Sequence, residues 1–208
     1  LKRREPQING VGAFLIRSTG IVDYQTVTNK MADIFRAMGG EVILGAAVKD
    51  LTESADELKI DTEAGRFRGR YLIACAGLMA DRVVDMMGIR RQFQIIPFRG
   101  EYYRLPADKN RIIKHLIYPI PDPSLPFLGI HLTRMISGAV TVGPNAVLAL
   151  KREGYKKAAF DLGDLAEMAR WSGFWHVLRN HAVSGLIEYK NSFLKRGYLA
   201  EVNKYCPQ

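Results

Sequence analysis

The sequence predicts a mixed α/β (α+β) chain, with one partial α/β unit over residues 20–90 and a second, antiparallel-sheet unit built from 1–19 and 91–208. Three observations point there. Residues 20–90 read as helix, short strands, a continuous apolar run and helix, the order of a sheet covered by helices. From Ile95 the pattern changes to short strands broken by turn residues. Tyr118–Ala146 opens with prolines at 119, 121, 123 and 126 and then alternates like a hairpin.

Taken in order, residues 1–17 give a basic opening and a glycine-punctuated apolar run, Ile8–Ile16; with no initial methionine, the chain is expected to begin mid-protein. Asp23 caps a helix whose apolar positions Val27, Met31, Ile34, Phe35 and Met38 recur at helical spacing, and Gly39-Gly40 ends it. Strands are expected at Glu41–Leu44, Ala47–Thr52, Leu58–Thr62 and Phe67–Arg70, with a turn at Ala64-Gly65. Tyr71–Ala76 is apolar throughout and reads as a strand buried on both faces, which would bury the Cys75 thiol. A helix over 80–87 follows, stopped by Gly88. Ligands of such sheets gather at strand carboxyl ends, here Ala76-Gly77; a tight strand-to-helix turn is the other reading of Gly77.

In the second unit, Gln94–Pro97 and Glu101–Leu105 read as strands interrupted by Phe98-Arg99-Gly100. After the proline loop, Leu128, Ile130 and Leu132 point to a core, while Gly129, His131 and Thr133 share the other face. Ser137-Gly138 turns the chain into a return strand, Ala139–Val142, ending at Gly143-Pro144-Asn145. Short helices are expected at Val147–Arg152, Asp164–Trp171 and Phe174–Asn180. Ser184 would cap a last one, with Ile187, Leu194, Tyr198 and Val202 inward and Glu188 outward.

Composition narrows the functions. A chain of 208 residues, 48% apolar, can bury a real core. No uninterrupted apolar run reaches the roughly 20 residues of a membrane-spanning helix. Two cysteines without a CxxC pattern and four histidines without ligand spacing give no reason to expect a metal. The net charge of +9 is scattered over short clusters, among them Lys151-Arg152 with Lys156-Lys157. Solvated faces are the simplest reading, no nucleic-acid motif organises them, and an acidic small molecule or an anionic membrane surface is the partner they allow.

Four segments, Tyr118–Ala146, Ser18–Tyr24, Tyr71–Asp81 and Pro97–Tyr103, carry a resemblance to the L-2-hydroxyglutarate dehydrogenase (oxidase) family of the D-amino-acid-oxidase-like FAD flavoprotein superfamily. The resemblance implies that residues 20–90 are part of an FAD-binding Rossmann-like domain and that the rest is a substrate domain. It implies FAD as cofactor, with backbone contacts from the strand near Val48 and from Ala76 and Gly77. It also implies a dicarboxylic hydroxy acid as substrate, oxygen or a quinone as electron acceptor, and a cytoplasmic chain able to touch the inner membrane. An amine or amino-acid oxidase of the same superfamily and a non-catalytic binding module are the alternatives.

Oxidising a 2-hydroxy acid needs a hydride acceptor, a base and cations for carboxylates. His131 is the candidate base, because imidazole titrates near neutral pH; a structural histidine is the other reading. Arg99 beside Gly100 is the candidate carboxylate clamp, with a surface charge as the alternative. Tyr102, Tyr103 and Asn145 are candidates for substrate hydrogen bonds. Lys151-Arg152-Glu153 is similar to the family but reads as a solvated charge run. Gly10-Val11-Gly12 lacks the third glycine and the helix of a dinucleotide fingerprint, so the chain by itself is expected to hold FAD weakly or not at all.

Overall fold

The computed structural model of the protein describes residues 1–121 and 129–207. Asp23 opens the first helix, α1 (Tyr24–Ala37): its carboxylate accepts the backbone N–H groups of Gln25 and Thr26, donors that a helix start leaves unpaired. Gly39, at φ +90, lies just past its end. The apolar spacing is that of an amphipathic helix, yet no residue of α1 is buried, and Met31 is 65% exposed.

Three strands follow as an antiparallel meander: β1 (Val48–Glu53), β2 (Leu58–Thr62) and β3 (Gly65–Gly69), in that order across the sheet. The Thr62 hydroxyl fixes the β2–β3 turn, donating to the Gly65 carbonyl at 2.7 Å and accepting the Ala64 N–H at 3.1 Å. Two expected strands are absent. Glu41–Leu44 is irregular, and so is Tyr71–Ala76, where Tyr71 and Ile73 are each 88% exposed and Cys75 is exposed rather than buried. An apolar run becomes a central strand only when strands on both edges accept its N–H and C=O groups. Among the described residues none pairs with 71–76. The predicted helix after it is present as α2 (Ala80–Met86), entered through a 3₁₀ turn at Gly77–Met79 and packed against β1.

The second sheet is also antiparallel, in the order β4 (Phe98–Arg104), β6 (Val140–Leu148), β5 (His131–Arg134). It corrects two boundaries. Phe98-Arg99-Gly100 does not interrupt a strand but begins one, because Arg99 and Gly100 pair with Val147 and Ala146, and Gln94–Pro97, expected as strand, is irregular because it has no such ladder of partners among the described residues. The return strand does not stop at Gly143 either, and residues 147–148 continue it as strand instead of starting a helix. A bulge between Glu101 and Tyr103 absorbs Gly143, whose φ of +147 suits glycine; an added Cβ would lie 2.7 Å from both the Glu101 carbonyl and the Tyr198 hydroxyl. Leu128, expected in the core of this hairpin, lies outside the described residues with Asp122–Phe127.

The main core lies between this sheet, α5 (Lys195–Asn203) and both ends of the described chain. Ile8, Ile113, Leu132, Val140, Val142, Tyr198, Val202 and Cys206 form it. The inward positions expected of Leu132, Tyr198 and Val202 are therefore found. The Asn9 N–H donating to the Tyr205 carbonyl at 2.7 Å closes one end on the other.

Asp161 caps α3 (Leu162–Arg170) by accepting the Asp164 N–H. Next, α4 (Ser172–Phe193) runs straight through Ser184, which caps nothing; its irregularity is at His181, and the real break is extended Leu194. That shift in phase leaves Ile187 and Leu194 about half exposed and turns Glu188 inward against β6.

The two halves meet through ions. Arg152, read from sequence as part of a solvated run, is 4% exposed because its guanidinium grips the carboxylate of fully buried Asp81 and donates to the Leu78 carbonyl at 2.6 Å. Arg91 reaches Asp81, Asp85 and Glu167, while Arg82 joins Glu167 and Asp164. Three arginines thus lace α2 and the following loop to α3.

Candidate active site

His131 begins β5, opposite Gly143 of β6, and is 7% exposed. Its Nδ1–H donates to the Gly129 carbonyl at 3.2 Å, so in the neutral ring Nε2 carries the lone pair. Burial pushes its pKa below the ordinary 6.5, against the smaller opposing pull of the Gly129 carbonyl. An antiparallel bridge between Ile117 and Leu132 delivers the next residue, Tyr118, onto the imidazole; the rings stack at 4.2 Å between centroids and 19° between planes. Tyr118 also acts on Tyr102, whose pKa is raised first by burial and then by Tyr118. Sequence reasoning passed over Tyr118 as a site residue, although its place one step after an apolar residue and before Pro119 is a strand-end signal.

On β4, alternation turns Arg99, Glu101 and Tyr103 to the more buried side and Tyr102 to the exposed one. Arg99 is 10% exposed: Nε and Nη2 donate to Glu101 at 3.1 and 2.8 Å, and Nη1 donates to the carbonyls of Gly154 and Lys156. Burial raises the Glu101 pKa, but the Ser192 hydroxyl and then Arg99 and Lys157 outweigh it and hold the group low, hence anionic. Tyr103 meets Tyr198 edge to face, with centroids 4.7 Å apart. Asn145, 3% exposed, pairs across the ladder with Glu101; its Nδ2 donates to the Glu188 carbonyl at 3.4 Å, and its Oδ1 has no hydrogen-bond partner among the described residues.

Arg99, Tyr102 and Tyr103 line one open depression of about 320 Å³ together with Gly100, Glu101, Tyr155 and Lys157. His131 and Asn145 do not line it. Tyr155 and Lys157 were not singled out from sequence, where nothing local separates Lys157 from Lys156. Val48, Ala76 and Gly77 belong to the other sheet and its flank. Val48 is 41% exposed, and Gly77, at φ +50, has nothing among the described residues within 4 Å of the place a Cβ would take. Tyr71–Gly77 therefore presents open backbone, although not at the end of a strand.

Comparison with known proteins adds relatives along the whole chain. It is 57% identical over 208 residues to the L-2-hydroxyglutarate dehydrogenase of Salmonella houtenae, covering 100% of the chain and 49% of that protein. It is 54% identical over 209 residues to the L-2-hydroxyglutarate dehydrogenase of Escherichia coli, covering 100% and 50%. The mitochondrial L-2-hydroxyglutarate dehydrogenase of Mus musculus is 36% identical over 221 residues, at 100% and 47% coverage. The chain thus spans about half the length of the curated relatives it matches. The model of the family described as DAO, FAD dependent oxidoreductase, matches residues 1–181, and the chain belongs to that family.

Proposed function

We propose that this chain is the substrate-side part, with a portion of the cofactor wall, of an FAD-dependent enzyme that oxidises L-2-hydroxyglutarate to 2-oxoglutarate. Residues 20–90 form the cofactor-side unit, and 1–19 with 91–208 form the substrate unit. The observation that carries the reading is His131: a buried imidazole held neutral, with Nδ1–H bound to a carbonyl and Nε2 left basic.

The residues present fit one side of a flavin nucleotide. The open backbone at Gly77 lets a flat or phosphorylated group approach the main chain, with Ala76 and the exposed start of β1 at Val48 beside it. FAD, when bound, supplies the acceptor for the hydride that leaves the substrate α-carbon. His131 Nε2 takes the hydroxyl proton. The tyrosines on β4 and the amide of Asn145 supply hydrogen bonds, and the net positive charge of the β4 depression balances carboxylate charge. The electron acceptor is oxygen or a membrane quinone. No helix among the described residues is long and apolar enough to cross a membrane, and the scattered basic clusters allow peripheral contact from the cytoplasm.

The test is the visible spectrum of the chain titrated with FAD, before and after anaerobic L-2-hydroxyglutarate. Bound flavin that bleaches supports the reading. Bound flavin that bleaches only with a secondary amine or an amino acid selects an amine or amino-acid oxidase instead. A chain that takes up no flavin is, by itself, a binding module.

A further inference from the structure

Arg99 was the cation expected to receive a substrate carboxylate, and its surroundings argue against that use. Four of its five N–H groups are engaged within the chain, two on Glu101 and two on backbone carbonyls. Freeing them would leave buried groups unpaired. The second cation of the depression is placed differently. Lys157 is 46% exposed, its ammonium stands 3.5 Å from Glu101 Oε2, longer than an ordinary hydrogen bond, and it donates to the Ser192 carbonyl while lying 5.3 Å above the Phe193 ring. An ammonium has three N–H groups on a flexible stem, so it can turn to an incoming anion without breaking the Arg99 anchor. Arg99, Lys157 and Glu101 together leave one net positive charge. That balance suits one carboxylate, with the phenols of Tyr102 and Tyr155, 54% and 85% exposed, at its rim.

We propose that Lys157 is the cation that binds a carboxylate of the dicarboxylic substrate, and that Glu101 is the internal carboxylate that holds this cation until the ligand replaces it. Because His131 does not line the depression, the carboxylate bound there is the one remote from the reacting carbon, which makes Lys157 a specificity-determining residue. This deepens the proposed function and rests on it.

The experiment is calorimetric titration of the intact chain with glutarate, which has both carboxylates but no hydroxyl to oxidise, and with butyrate, which has one. Glutarate is expected to bind more tightly than butyrate. Lys157→Met is expected to weaken glutarate at least about tenfold, the scale of one lost charge-assisted hydrogen bond. Lys157→Arg should stay within a few-fold, and Glu101→Gln should bind glutarate more tightly because the internal competitor is gone. Thermal melts confirm that each variant is folded, and Lys157→Gln takes the place of Lys157→Met if that variant is not. Glutarate bound equally by wild type and Lys157→Met, no gain in Glu101→Gln, or no preference over butyrate overturns the proposal. Flavin bleaching by L-2-hydroxyglutarate is read separately, so failure here leaves the proposed reaction to stand or fall on its own test.

Discussion

At His131 and Gly143, opposite each other on neighbouring strands, single side chains decide what the sheet can hold. The imidazole loses solvent to Tyr118 and has a carbonyl partner on Nδ1, so its titration is expected below pH 6.5; following its ring resonances by NMR checks this, and a midpoint at or above 6.5 sinks the assignment of a neutral base. Gly143 has the harder constraint. Gly143→Ala would push a methyl into the Glu101 carbonyl, the Tyr198 hydroxyl and the Tyr102 ring at a φ alanine avoids, and is expected to remove about 3 kcal/mol or more in urea unfolding. His131 could be named as a candidate from sequence because its type and its place in the alternation are both local. Lys157 could not, because the role proposed for it depends on Glu101, 56 residues earlier, across the fold.

Elements were legible where their signals were local. The cap at Asp23, the β2–β3 turn and the helix before Gly88 depend on neighbours a few residues away; the cap and the helix stand where the pattern put them, and the turn lies one residue earlier, at Glu63-Ala64. Tyr71–Ala76 failed because a central strand needs edges supplied by other segments. The β4 and β6 boundaries failed because a glycine and a proline that signal a turn in isolation instead form a bulge when two strands are in register. The phase of α4 was misread for a related reason, and Glu188 shows the cost. Burial, with Glu201 adding to it, raises the Glu188 pKa, and Oε2 has no hydrogen-bond partner among the described residues. A carboxyl whose folded pKa lies above its unfolded value stabilises the fold at low pH, and that stability is lost as pH rises through the folded pKa. Glu188→Gln is therefore expected to gain about 1 kcal/mol at neutral pH and to flatten this part of the pH profile, both measurable by denaturant titration.

For the whole molecule, a mixed α/β class with a separate antiparallel sheet in the second unit was readable from the order of patterns, whereas the first sheet, expected as one covered by helices around a buried strand, is an antiparallel meander. What joins the halves was not readable, since Arg152 looked like any surface charge. Asp81 holds the lattice: burial raises its pKa, but the Arg152 hydrogen bonds and the Ile95 N–H lower it to about 2. Its contribution is present above the ordinary value of 3.8 and is lost as pH falls through about 2. Asp81→Asn leaves Arg152 buried without its counter-charge, and about 3–5 kcal/mol of stability is expected to go, with acid unfolding moved to higher pH. A variant that unfolds at the wild-type urea midpoint would show that Arg91 and Glu167 carry the lattice without it.

That lattice also sets an order of assembly. Arg82 and Glu167 are 85 positions apart and Asp81 and Arg152 are 71 apart, so each link closes a long loop, and chain entropy delays such closures. The β1–β3 meander pairs strands only a few residues apart and forms early by comparison. Until α3 arrives, Asp81 and Arg82 stand near the end of a short helix with no counter-ions from the far half. The charges that bind the two halves in the finished protein are therefore late to find each other.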